Sequence, residues 1–285
     1  MKTVGVIAGA GRVPVIGVRA AQAKGWRVFA IALAAGPQAG DPMDGRCNEP
    51  ACEALRAAGA ECETMTVGEY SRIVAAFLER GVREIYVLGK LPKTALYCES
   101  LDGAARDVLA NRAGQGDHAL IEAFVSDLAR RGLVVRLQSE LFVDQLVPPG
   151  FAAGRSLSPR EEADMRYGYM VARRLADVAD AGQTVVVKDG IVLALEAAEG
   201  TDATIRRGGQ LGGPGSVVVK VKGRRGIDFE LPAVGLETLA TVAEAQAGVL
   251  AVEAGRTLLL ERDDVLKRVA ELGIALVAVT GDDAV

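Results

Sequence analysis

The sequence predicts an α/β fold in two domains, and three observations carry that expectation. A short apolar run, Lys2–Ala8, meets the glycine turn Gly9-Ala10-Gly11, and a helical pattern and a second apolar run, Trp26–Leu33, follow. That strand–turn–helix–strand order opens a doubly wound, Rossmann-like parallel sheet. Near the middle of the chain Pro148-Pro149-Gly150 interrupts a Pro/Gly-rich connector over 142–154, which marks a domain boundary. Beyond it two alternating runs flank Asp189-Gly190, the signature of a tight hairpin and so of antiparallel pairing. The expected domains are residues 1–147, a Rossmann-like parallel-sheet domain, and residues 148–285, a mixed α/β domain.

In the first domain the opening helix runs through Val13, Ile16, Val18 and Ala21 to Lys24-Gly25. Residues 34–62 read as irregular, with one short helix near 50–58. Tyr70–Arg80 has amphipathic helical spacing, and Glu84–Gly89 reads as the third strand. Gly116-Asp117 opens a helix through Ala119, Leu120, Phe124 and Leu128, and Gly132–Gln138 is a further strand. In the second domain Ser158-Pro159-Arg160-Glu161 combines an N-cap, a proline at the first helical position and a glutamate placed for a capping box, so a helix is expected to about Ala181. The hairpin pairs Gln183–Lys188 with Ile191–Glu196. Gly200-Thr201 offers a turn and a helix N-cap, and Gly208–Gly215 reads as a glycine-rich loop. Val217–Lys222 reads as an edge-like strand, and the strand Ile227–Pro232 puts Asp228 and Glu230 on one face. Helix Gly235–Ala247, strands Gly248–Ala254 and Thr257–Leu260, helix Arg262–Leu272 and strand Ile274–Val279 complete the chain.

Composition removes several function classes. Half of the 285 residues are hydrophobic and a quarter charged, a globular balance. A net charge of -4 gives no basic face for nucleic acid, and 4% aromatics leave little for stacking bases. Cys47, Cys52, Cys62 and Cys98 have irregular spacing, and His118 is the single histidine, so neither a zinc site nor a histidine-rich dinuclear centre is expected. The cysteines are expected as reduced thiols. The N-terminus lacks a signal peptide's apolar region, and no apolar run approaches the roughly 20 residues that span a bilayer. A cytoplasmic protein is the expectation.

The chemistry concentrates in Leu193–Arg207. Glu196, Glu199 and Asp202 lie close together there, and Arg206 and Arg207 follow. Carboxylates hold divalent cations through hard oxygens, and paired arginines grip phosphate oxygens. An N-capped helix with solvated charges explains the same residues, with Thr201 at the cap. Asp228 and Glu230 form a second acidic pair, either solvent-facing or metal-holding. In the first domain the glycine turn, with Gly9 and Gly11, suits a phosphate at a helix N-terminus. Pro14 replaces the third glycine of the dinucleotide fingerprint and no acidic residue ends the second strand, which weighs against an NAD site. Lys90, Pro92 and Lys93 follow the end of a strand, where open sheets place ligands. Asp117 and His118 begin a helix; solvated loop lysines and a surface histidine are the plainer readings.

These segments together resemble the LpxI type of UDP-2,3-diacylglucosamine pyrophosphatase, a lipid A pathway family. They are IAGAGRVP, LGKLPK, GDHALIEAF, the long run Gly182–Arg207, VVVKVK, FELPAVG and GVLAVEAGRTLLLERDDVL, in order over nearly the whole chain. The resemblance implies two domains with an interdomain substrate cleft, and hydrolysis to UMP and 2,3-diacylglucosamine 1-phosphate that depends on Mg²⁺ or Mn²⁺. It places the family's functional acid at Glu230, just before Leu231-Pro232-Ala233-Val234-Gly235. Here Glu230 stands where the family pattern has Asp, and Asp228 where it has Arg. The expected catalytic set is Glu230, Asp202 and Glu199. Substrate contacts are expected from Gly9, Gly11, Lys90, Asp117, Thr201, Arg206, Arg207 and Lys220, and metal ligands from Glu196, Glu199, Asp202, Asp228 and Glu230. The expected partners are a lipid-linked UDP-sugar and the inner-membrane surface, touched peripherally; a homodimer is compatible with the chain. Two other readings stay open: a non-catalytic nucleotide-sugar or lipid-binding homologue, and an oxidoreductase using the glycine turn.

Overall fold

A computed structural model describes residues 1–34, 49–90, 101–114, 116–179, 182–222 and 231–281, which fall into two compact units dividing between Phe142 and Val143. In the first unit β1 (Thr3–Ala8), β2 (Arg27–Ala34), β3 (Glu61–Thr66), β4 (Glu84–Leu88) and β5 (Val134–Val135) form one parallel sheet in the order β3-β2-β1-β4-β5. The helices are α1 (Val13–Ala23), α2 (Glu49–Ala57), α3 (Tyr70–Glu79), α4 (Gly103–Ala110), α5 (Gly116–Arg130) and α6 (Gln138–Leu141). The central strands β1 and β2 are nearly continuous in apolar residues because helices cover parallel strands on both faces. At Gly5 a Cβ would lie 2.6 Å from the Phe77 ring, so the absence of a side chain lets α3 close on the sheet.

Three expectations change here. Glu61–Thr66, which begins inside the stretch 34–62 read as irregular and is not among the expected strands, is β3, which makes Glu84–Leu88 the fourth strand. In ECETMT only Cys62 and Met65 are buried, three residues apart, so this edge strand lacks the period-two signal. Helix α4 was not anticipated; Asp102 starts it by accepting from Ala105 N–H at 2.8 Å, and also accepts from Ser71 N–H at 2.7 Å. The run Gly132–Gln138 is strand only at Val134–Val135, because the buried Gln138 side chain donates to Val87 O at 2.7 Å where the chain turns into α6.

The second unit holds a mixed six-stranded sheet. Its strands are β6 (Ala152–Gly154), β7 (Thr184–Lys188), β8 (Ile191–Leu195), β9 (Val217–Lys220), β11 (Val249–Glu253) and β13 (Ala275–Val279), in the order β6-β13-β11-β9-β7-β8. β9, β11 and β13 are parallel; β6 and the β7–β8 hairpin run antiparallel to their neighbours. β10 (Ala233–Val234) and β12 (Leu258–Leu259) pair separately. Helix α7 (Pro159–Arg174) lies on one face, with Tyr169 and Ala172 against Val185, Val217, Val219 and Val249. Helices α8 (Thr201–Gly212), α9 (Leu236–Glu244) and α10 (Arg262–Leu272) supply Ile205, Leu239, Val242, Val265 and Val269 to the other core.

The hairpin turn at Asp189 and Gly190 has φ of 55° and 75°, the left-handed pair that this tight turn requires. β9 is central rather than an edge, and all four of its residues are buried. The connector does not stay irregular to Gly154: its last residues pair with β13 as β6. Gly208, Gly209 and Gly212 belong to α8, not to a loop. A Cβ would lie 2.6 Å from Val186 at Gly208, 2.6 Å from Ala245 O at Gly209 and 2.3 Å from Leu193 at Gly212, so these glycines serve close packing. Helix α7 ends at Arg174 and continues as one π-helical turn, Leu175–Ala179.

The capping box at Ser158 forms as the sequence predicts, and Arg155 joins it. Glu161 accepts from Ser158 N–H at 2.9 Å and from Arg155 at 2.9 Å and 2.5 Å. The arginine above all, outweighing burial, holds the Glu161 carboxyl down at about 2 against its ordinary 4.5. A depressed folded value means the stabilisation is complete above pH 4.5 and disappears as pH falls towards 2. We therefore expect Glu161→Gln to lower stability by about 1–2 kcal/mol at pH 7, after discounting for solvent around the half-exposed Arg155. Urea unfolding should show that gap narrowing steadily below pH 4.5; a gap independent of pH would contradict the assignment.

Candidate functional site

Both faces of the second sheet are apolar, and its buried polar side chains gather at one end of the strands. There β9 and β11 end and the antiparallel β7 begins, with Thr184 opposite Lys220. Thr184, Lys220, Lys222 and Glu253 are all buried at this end. It is the carboxyl end of the parallel strands, where open α/β sheets bind ligands. Thr184 Oγ1 lies 3.4 Å from Thr201 Oγ1, which donates to Glu196 Oε1 at 3.1 Å; Gln183 N–H donates to Glu196 Oε2 at 3.2 Å. The fold thus brings the candidates Glu196, Thr201 and Lys220 to one edge. The helix cap falls on Gly200, whose φ of 80° favours glycine, and this leaves the Thr201 side chain to reach back to Glu196.

Sequence reasoning did not single out the charged network next to them. Glu253 accepts from Lys222 N–H at 2.8 Å, from Arg173 Nη1 at 2.5 Å and from Tyr169 OH at 3.4 Å. Arg173 Nη2 lies 3.1 Å from Asp177, near enough to pair but off the hydrogen-bonding direction. Lys220 Nζ donates to Ala233 O at 3.4 Å. The available signal was the charge ending each apolar strand, in VVVKVK and VLAVE, since such residues are rarely buried without a partner.

The remaining candidates on α8 do not converge. Consecutive helical residues point in different directions. Arg206 accordingly pairs with Glu244 at 2.8 Å, whereas Arg207 pairs with Glu199 at 2.6 Å and donates to Leu195 O at 2.9 Å. The Glu199 carboxyl is lowered by its own backbone N–H and then by Arg207. Asp202 accepts from Thr241 Oγ1 at 3.5 Å, on the side of α9. Among the described residues no group of three or more His, Cys, Asp or Glu side chains could hold a metal ion. Asp228 and Glu230 lie outside the described residues.

In the first unit Gly9, Gly11 and Lys90 come together where the strand order reverses, β1 having β2 on one side and β4 on the other. Gly9 N–H donates to Leu88 O at 2.8 Å, and Ala10 and Lys90 exchange two backbone bonds of 2.9 Å. Gly89 has φ of 88° and passes so close to the turn that a Cβ would lie 2.6 Å from Ala10 O. Gly17, where a Cβ would lie 2.3 Å from Leu88, seats α1 against β4. The Lys90 side chain is exposed at this switch point, the position such sheets use for ligands. Asp117 and His118 stand in the first turn of α5. Of the cysteines, Cys52 and Cys62 are free thiols, and burial, then the contact with Cys52, pushes Cys62 up to about 12.

A switch-point parallel sheet followed by a mixed sheet with a charged strand end defines the class: an α/β protein of two units, each with polar groups at the carboxyl ends of its parallel strands. Comparison with known proteins gives the family. The LpxI N-terminal domain model matches residues 3–145 and the LpxI C-terminal domain model residues 148–277. The chain belongs to the LpxI family. It is 28% identical to the UDP-2,3-diacylglucosamine pyrophosphatase LpxI of Caulobacter vibrioides, over 98% of both chains. Among solved structures, a dCMP deaminase from cyanophage S-TIM5 is similar over 43% of this chain and 100% of its own, at 14% identity and a TM-score of 0.26. A biotin carboxylase domain from Hydrogenobacter thermophilus is similar over 70% and 38%, at 14% and 0.29. Likenesses this low carry no argument.

Proposed function

We propose that this protein hydrolyses the diphosphate of UDP-2,3-diacylglucosamine to UMP and 2,3-diacylglucosamine 1-phosphate in lipid A synthesis. The observation that carries the reading is the match to both LpxI domains, together with a relative of that activity aligned over 98% of both chains. Phosphoanhydride hydrolysis needs a water, charge neutralisation and alignment, with little covalent chemistry from the protein. Glu230 orients and deprotonates the water. Lys220, Thr201 and Arg207 are the phosphate contacts we infer for the second unit, without Arg206, which pairs with Glu244; Gly9, Gly11, Lys90 and Asp117 are the candidates of the first unit taken by itself.

A divalent cation, Mg²⁺ or Mn²⁺, would supply charge neutralisation when bound. Glu196 and Glu199 already accept hydrogen bonds, so the described carboxylates alone do not make its ligand set. Glu199 and Asp202 turn to Arg207 and Thr241, so Glu196, Asp228 and Glu230 are the carboxylates we infer for it, and hard carboxylate oxygens suit either ion. We infer that the lipid-linked substrate is met peripherally, at the cytoplasmic face of the inner membrane; no helix among the described residues is long and apolar enough to cross a membrane.

Glu230 in place of the expected Asp favours one other reading, a homologue that binds the nucleotide lipid without turning it over. UMP release from UDP-2,3-diacylglucosamine, measured with chelator and after adding back Mg²⁺ or Mn²⁺, separates the two. Release that stops on chelation and returns with the ion is expected. Tight substrate binding with no UMP under any ion would establish the silent homologue instead.

A further inference from the structure

We propose that the outer face of α7 is the surface on which this protein meets an anionic phospholipid membrane. The inference rests on the reading that the substrate is a membrane lipid, and it concerns the second unit alone. Along the solvent side of α7 and its π-helical turn, Ala163, Tyr167, Arg174 and Val178 follow one another at helical spacing, with Arg166 and Met170 beside them. Tyr167 is 38% exposed and Val178 73%, whereas Tyr169 and Ala172 on the opposite side are buried against the sheet. Apolar side chains, a tyrosine and long arginines along one side of a helix suit the boundary between headgroups and acyl chains.

The charges of this helix are sorted by side. Three of its four acids turn away from the outer face. Glu161 is taken by Arg155 at 2.5 Å, Asp164 accepts from the backbone N–H groups of Asp189 and Gly190 at 2.8 Å and 2.7 Å, and Asp177 lies 3.1 Å from the buried Arg173. Only Glu162 stays outside, 3.9 Å from Arg166, and Arg160 pairs with Asp189 at 2.7 Å. The outer face is therefore cationic on a chain whose net charge is -4. An anionic membrane repels such a chain as a whole, so contact has to come through a local strip that acts within a Debye length, about 8–10 Å. A second copy is a poor occupant, because a twofold interface sets the face against itself and arginine against arginine. The place of the strip agrees with the chemistry. Arg173, next to Arg174, reaches Glu253 at the carboxyl end of the parallel strands, the end at which Thr184 and Lys220 are buried.

The test is flotation of the full-length protein with vesicles of phosphatidylcholine alone and of phosphatidylcholine mixed with anionic phosphatidylglycerol. It compares wild type, the double variant Arg166→Gln with Arg174→Gln, Val178→Ser, and the control Arg268→Gln, an exposed arginine on α10. Tm and UMP release from detergent-dispersed UDP-2,3-diacylglucosamine are measured beside it. Wild type should float with the mixed vesicles and not with the neutral ones, and less so as salt rises. Loss of two arginine charges should weaken that partition about 30-fold. Val178→Ser should weaken it about threefold or more, and the control should match wild type. Tm and kcat in detergent should stay at wild-type values, since none of these side chains is among the inferred substrate contacts. Equal flotation of wild type and the double variant overturns the proposal, as does equal flotation on neutral and anionic vesicles. A wild-type dimer that the double variant dissociates assigns the face to a second copy and overturns it too. UMP release without flotation defeats the membrane surface alone. Flotation that the double variant loses, from a protein that releases no UMP, defeats the hydrolase reading and upholds the surface.

Discussion

Glu230→Gln should lower kcat by about 100-fold or more while leaving Tm and substrate affinity close to wild type. The residue precedes Leu231-Pro232, where the resemblance to LpxI implies the acting acid. An amide keeps the size of the side chain but cannot take a proton from water. Because such a group acts in the transition state, the loss should appear in kcat rather than in binding. Glu230→Asp is the informative partner, since it restores the family's residue one methylene shorter. Activity within about tenfold of wild type in Glu230→Asp would show that the reaction tolerates either side-chain length. Near-normal kcat in a well-folded Glu230→Gln protein would remove Glu230 from the reaction.

The largest expected effect on stability comes from one hydrogen-to-methyl change. Gly209→Ala places a Cβ 2.6 Å from the Ala245 carbonyl oxygen and 2.8 Å from its Cα, and backbone cannot step aside as a flexible side chain can. Overpacking of this kind costs about 1–3 kcal/mol, with the upper end expected where backbone must move. Alanine's better helix propensity returns at most about 1 kcal/mol of that. A fall in Tm of roughly 5 °C is the outcome for a unit of this size. Gly103→Ala makes the control: nothing lies within 4 Å of the added Cβ at the start of α4, so its Tm should hold or rise. Equal Tm values for the two variants would show that α8 and α9 can separate without cost.

What could be read from the residues was what local chemistry decides. The Asp189-Gly190 hairpin and the Ser158 capping box depend on neighbours in sequence, and both form. The apolar runs of β1 and β2 also declared themselves, because parallel strands covered on both faces need no polar alternation. β3 did not, since its residues face mostly partial exposure at a sheet edge. Gly208, Gly209 and Gly212 were misread for a related reason: glycine within a helix is explained by what packs against it, and Val186, Ala245 and Leu193 are distant in sequence. The candidate site divides the same way. Glu196 and Thr201, five residues apart, were found together, but their meeting with Lys220 needed the β7–β9 register. Glu253 showed only as a charge ending an apolar strand, and its partner Arg173, 80 residues away, could not be read from either segment.

The open edge of the second sheet has a bearing on how the protein behaves at high concentration. β8 is a five-residue edge strand, IVLAL, with no charge and no proline, and Ile191 and Leu195 are exposed on it. Such strands recruit other chains through their unpaired backbone groups. Two features blunt this one. The hairpin register shifts between Val186 and Val187, which bends the strand away from flat pairing. Glu196 N–H bonds Thr184 O, so the carbonyl of Leu195 one residue earlier points away from β7, and Arg207 caps it. The guanidinium thus guards solubility from the same position at which it reaches Glu199, and a variant at Arg207 would report on self-association as well as on phosphate.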